Sequence, residues 1–198
     1  MKKTIAFTLA FFMLAVVAPL FATGQVQRMG GVVIDNGGIF IMQDSTSVSG
    51  NTGFSAGVVI FNGTFNMEGG TISGNTGDAG GVVIFDGTFT MQNGTISGNT
   101  SSDNGGGVYI VGGTFNMQGG IITGGNNAKN NGGGVYVGGG TFNKNGGTIR
   151  GSDVAVGNRN TATNRGHAVY WNSSPVRWRN VTAGPDDKTG EYGFWLND

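Results

Sequence analysis

The residues from Gly80 to Thr100 read GGVVIFDGTFTMQNGTISGNT, and this phrase recurs along most of the chain with small changes. An earlier copy begins at Gly57, and later copies begin at Gly107 and Gly134. With a more divergent copy from Gly31, and with the central copy aligned from Gly81, the five starts are separated by 26, 24, 26 and 27 residues. A repeat of this length is typical of a solenoid, in which each copy forms one coil stacked on its neighbours.

Each copy contains three short runs that have the character of β-strands. The runs are rich in β-branched and aromatic residues and are bounded by Gly, Asn or Asp. Alternation along the runs places Phe89, Met91 and Ile96 inside, with Thr88 and Thr90 outside. Since one coil buries too little apolar surface to fold alone, the coils must stack. The sequence therefore predicts an all-β fold, a right-handed parallel β-helix of about six coils with three short strands each.

Composition narrows the classes of partner. The chain has 198 residues, of which 41 are glycine and only 11% are charged. Its 11 basic and 11 acidic residues balance, so no nucleic acid and no anionic membrane is expected as a partner. It has no cysteine, so stability must come from stacking and not from disulfides.

The N-terminal residues 1–24 have the features of a signal peptide. Lys2 and Lys3 precede an apolar run from Ile5 to Val17, and cleavage after Gly24 leaves Gln25 as the mature N-terminus. We expect no membrane span once this segment is removed. The predicted location is secreted or at the cell surface, and the outer membrane and the periplasm are also compatible with export.

The remaining chain divides into a repeat region and a tail. Residues 25–184 are predicted to form the β-helix, and residues 185–198 form an aromatic tail. The last unit of a stack needs an atypical surface, because it otherwise leaves strand edges and an apolar cross-section open. We therefore expect the tail either to cap that end or to dock on a partner.

Two columns of equivalent residues have distinct predicted roles. Asparagines follow the third strand at the same position of successive coils, and such amide ladders are structural devices of stacked β-structures. A second column holds Val83 and three tyrosines on the outward side of the first strand, where we expect an accessible surface that faces a ligand. The ladder comprises Asn51, Asn75 and Asn99, and the tyrosines are Tyr109, Tyr136 and Tyr170.

The second strand carries an outward Thr-x-Thr or Thr-x-Asn pair in four adjacent coils. Stacking spaces these side chains about 4.8 Å apart between coils and about 6.6 Å apart along a strand. The resulting flat lattice of hydroxyl and amide groups is similar to that of ice-binding β-solenoids. Its members are Thr64, Asn66, Thr88, Thr90, Thr114, Asn116, Thr141 and Asn143.

The sequence contains no recognisable catalytic motif. Glycoside-cleaving enzymes use paired carboxylates, whereas Glu68 stands in a column of amides and Asp86 occupies a turn. His167 is the single histidine, so neither a histidine-based metal cluster nor a cofactor is expected. The alternative is a polysaccharide-binding or polysaccharide-degrading β-helix, which requires acids and aromatics to converge near the long loop from Asp153 to Gly166.

Between Gly31 and Ser152 the phrases GGVYV, GGTFNM and GGTISGNT resemble the repeats of bacterial right-handed parallel β-helix surface proteins, akin to autotransporter passengers and polymorphic outer-membrane proteins. The resemblance implies an exported structural or adhesive module without catalytic residues. Its expected partners are polysaccharides or host and cell-surface proteins. End-to-end pairing with copies of itself is a further expectation.

Overall fold

The chain folds as a parallel β-solenoid, as the repeat predicts. A computed structural model describes residues 30–55, 57–151 and 156–172. The predicted signal peptide, the end of the predicted β-helix from residue 173 and the C-terminal tail lie outside the described residues. In the described ranges the strands stack in four parallel sheets, the only helical element is a 3₁₀ turn at Val156–Asn158, and no helix is long and apolar enough to span a membrane.

The strands of successive coils pair in register, because equivalent positions of the repeat fall side by side. Sheet A contains β1 (Val32–Ile34), β4 (Val58–Ile60), β8 (Val82–Ile84), β12 (Val108–Ile110), β16 (Val135–Val137) and β20 (Val169–Trp171). Sheet B contains β2 (Gly38–Met42), β5 (Gly63–Met67), β9 (Thr88–Met91), β13 (Thr114–Met117) and β17 (Thr141–Lys144). Sheet C contains β3 (Ser47–Ser49), β6 (Thr71–Ser73), β10 (Thr95–Ser97), β14 (Ile121–Thr123) and β18 (Thr148–Ile149).

A fourth, narrow sheet was not predicted. Sheet D contains the two-residue strands β7 (Thr76–Gly77), β11 (Thr100–Ser101), β15 (Asn127–Ala128) and β19 (Thr161–Ala162). Within the described residues, the second to fifth coils are the ones that contribute a strand to all four sheets. The solenoid therefore has about four complete turns where about six were expected, because the first coil lacks a strand in sheet D and the sixth is described only at β20.

The interior is built from columns of identical side chains. Phenylalanines of sheet B stack along the axis, and the rings of Phe65, Phe89 and Phe115 are fully buried with centroids 4.7 Å apart. Met91 and Ile96 are also buried, which confirms the predicted inward positions. Each inward side chain packs against the equivalent side chains of the coils above and below, which exclude water from it. Burial is therefore nearly complete in the middle coils.

In the fifth coil a lysine takes the position that methionine holds in the earlier coils of sheet B. Met117 pairs with Lys144 in register, so this lysine occupies the inward position held by methionine in the earlier coils. Lys144 is 2% exposed, and its Nζ donates a hydrogen bond to the carbonyl oxygen of Gly147 at 3.0 Å. A polar group is tolerated at this inward position because it donates a hydrogen bond to a backbone carbonyl.

A second, smaller apolar cluster lies on the outer side of sheet A and corrects one expectation. The Val83 column faces away from the main core, as predicted, but its middle members Val59 and Val83 are buried and not accessible. The chain returning from sheet D covers them with Ala79, and the stacked rings of Phe61 and Phe85 pack beside them. The alternation of residues along the strand predicts that this column faces away from the main core. It does not predict that a loop covers the column.

Candidate functional site

The predicted lattice of threonine and asparagine side chains lies on the outward side of sheet B. We call it the Thr/Asn face. Parallel pairing brings its two columns into register, with Thr64 beside Thr88 and Asn116 beside Asn143. Most of these side chains are half-buried by their neighbours in the sheet, and none is charged. The face comprises Thr64, Asn66, Thr88, Thr90, Thr114, Asn116, Thr141 and Asn143.

The Thr/Asn face offers a regular set of hydrogen-bonding groups. One amide pair bonds along it, with Asn143 Nδ2 donating to Asn116 Oδ1 at 2.9 Å. Thr90 stands between Asn66 and Asn116 in the same column, so the amides do not form a continuous ladder. Hydroxyl and amide groups both donate and accept hydrogen bonds, so the face can bind a polar partner whose own groups repeat at the strand spacing.

A second hydroxyl face lies on the adjacent sheet C and was not singled out from the sequence. Thr71 and Thr95 occupy one of its columns, and Ser73 and Ser97 occupy the other. Ile121 interrupts the first column and is 38% exposed. The repeated Thr-Ile-Ser triplet was the signal for this face, since its outer residues all carry hydroxyl groups.

The three predicted tyrosines come together on the outer side of sheet A. The rings of Tyr136 and Tyr170 are stacked at 5.6 Å, whereas the rings of Tyr109 and Tyr136 meet edge to face at 4.9 Å. Tyr136 is buried between its neighbours, and the other two are half-buried. The column is thus a packed aromatic cluster, and access to it runs through Tyr109 and Tyr170.

Burial and a nearby acid change the acidity of the tyrosines. Burial raises the pKa of the Tyr109 hydroxyl above its ordinary value of 10.0, and the negative charge of Asp103 acts in the same direction. Burial is also the largest cause of the raised pKa of Tyr136. The neighbouring Tyr109, Tyr170 and Asp103 raise this pKa further, by smaller amounts. Both hydroxyls therefore stay protonated at neutral pH and can serve as hydrogen-bond donors.

Asp103 is the acid that the structure places near the tyrosine column. Asn130 Nδ2 donates to its Oδ1 at 2.6 Å, and Asn104 Nδ2 donates to the same oxygen at 2.9 Å. The loops after β11 and β15 carry these side chains, which were not identified from the sequence. Asp153, which the polysaccharide-binding or polysaccharide-degrading alternative would need beside the tyrosines, is outside the described residues.

The predicted asparagines form a ladder that is longer than the three-residue pattern. Asn51 Nδ2 donates to Asn75 Oδ1, and Asn75 Nδ2 donates to Asn99 Oδ1, both at 2.9 Å. Asn126 and Asn160 continue the ladder at 2.9 Å and 2.8 Å. From Asn75 onward the rungs are fully buried. The arrangement satisfies buried amides and leaves them unavailable to a ligand, so its role is structural.

The acidic side chains of the described surface take part in turns and in contacts between coils. Asp86 Oδ1 accepts a hydrogen bond from the N–H of Gly87 at 2.8 Å, and Glu68 Oε2 accepts one from Gln43 Nε2 at 3.2 Å. His167 Nδ1 accepts a hydrogen bond from the N–H of Ala162 at 3.2 Å. Among the described residues, no three or more acids, histidines or cysteines gather in a way that would hold a metal ion.

Comparison with known proteins does not place this chain in a family. No protein-family model, no curated protein and no solved structure matches it. The solenoid architecture rests on the strand register described above. The likeness of its repeats to those of bacterial surface β-helix proteins stays an expectation from the sequence.

Proposed function

We propose that the protein is an exported, non-enzymatic β-solenoid that serves as a structural and adhesive module, either secreted or held at the cell surface. The observation that carries this proposal is the Thr/Asn face, which repeats the same uncharged hydrogen-bonding groups in register over the second to fifth coils. A rigid lattice of this kind suits a polymeric partner with a repeat of its own, such as a polysaccharide. Many weak contacts made together then give useful avidity.

The placement of Glu68 and Asp86 supports a role without catalysis. General acid and base chemistry on a glycoside needs two carboxyl groups that flank one bond. Here Glu68 and Asp86 make local hydrogen bonds within a turn or to the adjacent coil. An adhesive surface needs only a presented array of polar groups, which the stacked coils supply.

The resemblance of the repeats to autotransporter passengers and polymorphic outer-membrane proteins agrees with a surface location. The predicted signal peptide at residues 1–24 supplies the route of export. Together these features favour display outside the cell, where host or cell-surface proteins are further candidate partners.

The direct experiment is a binding screen. The chain is produced with its own leader in a bacterial host, recovered after export, and applied to immobilised polysaccharides and matrix proteins. Soluble sugar products are measured in the same wells. Capture by one or more polysaccharides without product release is the expected result, whereas release of sugar would show that the protein is an enzyme.

A polysaccharide-degrading β-helix is the alternative function, and the cluster of Tyr109, Tyr136 and Asp103 favours it. Asp103 lies close enough to the tyrosine column for its negative charge to act on both hydroxyls, so an acid and aromatic rings lie together on this face, as such an enzyme would require. If the screen detects product, Asp103→Asn and Tyr109→Phe are the variants that separate this cluster from the other acids. Loss of product in both would assign the chemistry to it.

Ice binding is a third candidate, favoured by the threonine column that runs in register along sheet B through Thr64, Thr88, Thr114 and Thr141. The asparagines in the neighbouring column distinguish this face from an all-threonine lattice. A thermal-hysteresis assay with Thr88→Tyr as the disrupted control tests the idea, and an inactive wild-type protein would exclude it.

A further inference from the structure

We propose that the N-terminal end of the solenoid is a self-association surface, on which β2 pairs antiparallel with β2 of a second copy in a head-to-head dimer. This inference goes beyond the proposed function and does not depend on it. It rests on the open edge of sheet B, on the two isoleucines of β2 and on the direction of the backbone groups along that edge.

The strands of the first coil have unpaired edges. Among the described residues, β1, β2 and β3 each lie at the end of their sheet. β2 has five residues, Gly38-Ile39-Phe40-Ile41-Met42, and none of them is charged or proline. Edge strands of soluble proteins usually carry lysine, proline or a bulge that blocks pairing, and a flat apolar edge without them is a site for strand addition.

The outward residues of β2 differ from every later coil. Ile39 and Ile41 occupy the two columns of the Thr/Asn face, where β5 has Thr64 and Asn66. They are 70% and 51% exposed. An exposed isoleucine pair is unfavourable on an isolated surface, so the departure from the repeat is explained if a partner covers it.

The inward side of β2 is also incompletely covered. Phe40 stacks on Phe65 at 5.2 Å with the ring planes 22° apart, whereas Phe65 and Phe89 are 4.7 Å apart and inclined by 7°. Phe40 is half-buried although Phe65 and Phe89 are fully buried. A second Phe40 on the open side would continue the phenylalanine column across the junction.

The backbone groups of β2 fit an antiparallel partner. The carbonyl oxygen of Met42 points to the second coil, where it accepts the N–H of Glu68 at 2.8 Å. Since successive residues of a strand direct their N–H and C=O groups to alternate sides, those of Ile39 and Ile41 face the open edge. These are the groups that a new strand would bind.

Symmetry then fixes the register. A two-fold axis through Phe40 pairs all five residues of β2 with those of the copy and keeps Phe40 facing inward on both sides. Ile39 then lies opposite Ile41 of the second copy, and the two residues exchange N–H···O bonds as a hydrogen-bonded pair. Their side chains meet on the outer face, where such cross-strand apolar pairs stabilise a sheet. Both the hydrogen-bonding pattern and the apolar pattern thus agree on one arrangement.

The chain that precedes the first coil is too short to form another coil on this edge if cleavage occurs after Gly24, as predicted. Only Gln25 to Met29 would then precede Gly30. Five residues reach about 17 Å when fully extended. A further coil requires at least 24 residues by the spacing of the repeat.

The test is the oligomeric state of the exported protein, with its N-terminal residue identified by mass spectrometry. Sedimentation velocity over a range of concentrations should show a monomer in equilibrium with a dimer. The variant Ile39→Thr/Ile41→Asn takes its side chains from the next coil and should fold normally by circular dichroism, while its dimer dissociates at least about tenfold more readily. Ile121→Thr removes an exposed isoleucine from sheet C and should leave the dimer unchanged.

Amide hydrogen exchange provides a second measurement that locates the contact. Protection of the Ile39 and Ile41 amides should rise with protein concentration, and Ile41→Lys should abolish that rise. A wild-type monomer at all concentrations, or a dimer that survives both isoleucine variants, would overturn the proposal. If a monomeric variant still binds polysaccharide, self-association and adhesion are independent properties of the protein.

Discussion

Asn99 illustrates how single side chains hold neighbouring coils together. Its Oδ1 accepts the backbone N–H of Asn75 at 3.1 Å and the Nδ2 of Asn75 at 2.9 Å. Its Nδ2 donates to the carbonyl oxygen of Ile72 at 3.0 Å and to Asn126 Oδ1 at 2.9 Å. Each rung thus joins its own coil to both neighbours and satisfies backbone groups that would otherwise be buried without partners.

Replacement of Asn99 by alanine should be strongly destabilising. The substitution leaves the N–H of Asn75 and the carbonyl of Ile72 without these partners, and each unsatisfied buried group costs about 1 to 3 kcal/mol. We expect the free energy of unfolding to fall by about 2 to 4 kcal/mol in urea denaturation. Asn116→Ala on the half-buried Thr/Asn face is the matched control and should cost less than about 1 kcal/mol. Equal losses in the two variants would contradict the structural role of the ladder.

The tyrosine column predicts a loss of stability in alkali. Because the raised pKa of Tyr136 keeps a proton bound that the unfolded chain releases above about pH 10, its contribution to folding is complete below that pH. The contribution is then lost as the pH rises through the folded-state pKa. Urea denaturation between pH 9 and pH 12 should therefore show a steeper fall for the wild type than for Tyr136→Phe. Parallel curves would mean that burial of this hydroxyl does not affect its ionisation.

For single residues, the sequence predicts which side of a strand a side chain faces, but it does not predict whether that side chain is exposed to solvent. Phe89 and Met91 face inward and Thr90 faces outward because successive side chains of a strand point to opposite sides. A short sequence pattern is enough to predict this. The burial of Val83 depends on Ala79 folding back across sheet A, and that contact is set by the tertiary path of the loop. The continuation of the ladder to Asn126 was hidden because the extra glycine in Gly124-Gly125 shifts its spacing from the preceding strand by one residue.

At the element scale, the turn into sheet A is matched to the column residue that it carries. The glycine four positions before a tyrosine has a positive φ and lies against that side chain, as Gly132 does with Tyr136. The coil with the smaller Val83 has Ala79 at the equivalent place. Large column residues therefore occur where the turn has no side chain.

This matching predicts different costs for two glycine substitutions. Gly132 has a φ of +67°, and an added Cβ would lie 2.6 Å from the Cβ of Tyr136. Gly98 has a similar φ of +63°, but the nearest atom to an added Cβ is 3.7 Å away. Both alanine variants carry the strain of the left-handed backbone, about 1 to 2 kcal/mol.

Gly132→Ala should lose about 1 to 3 kcal/mol more than Gly98→Ala, because only Gly132 also overpacks the tyrosine column. Thermal and urea denaturation of the two variants measure the difference. Equal stabilities of the two glycine variants would mean that the turn and the column are not coupled.

The three main strands of each coil were predictable as elements because the repeat supplies their boundaries several times over. Sheet D was missed because its strands have two residues each and show no apolar alternation, as in Thr76–Gly77. Its hydrogen bonds exist only when coils stack, so a local pattern cannot reveal it. The Thr/Asn face was predictable, but the hydroxyl face of sheet C was not separated from ordinary exposed strand residues.

At the scale of the whole molecule, stacking of near-identical coils produces both the core and the outer lattices. The inward columns stabilise the solenoid, and the outward columns repeat the same polar groups at the strand spacing. The described residues contain about four complete turns where about six were expected, because the first coil lacks a strand in sheet D and the sixth is described only at β20. The N-terminal coil departs from the pattern at Ile39 and Ile41, where we infer self-association.

The most direct test of the proposed function is the affinity of the protein for the polysaccharide that captures it best in the binding screen. The variant Thr64→Val/Thr88→Val/Thr114→Val removes three hydroxyls from the Thr/Asn face without changing side-chain size. Since each lost hydrogen bond is worth about 0.5 to 1.5 kcal/mol, the affinity should fall by at least about tenfold. The control Thr71→Val/Thr95→Val/Thr148→Val makes the same change on sheet C and should bind as the wild type does. Unchanged binding by the sheet B variant, or an equal loss in both, would contradict the Thr/Asn face as the adhesive surface.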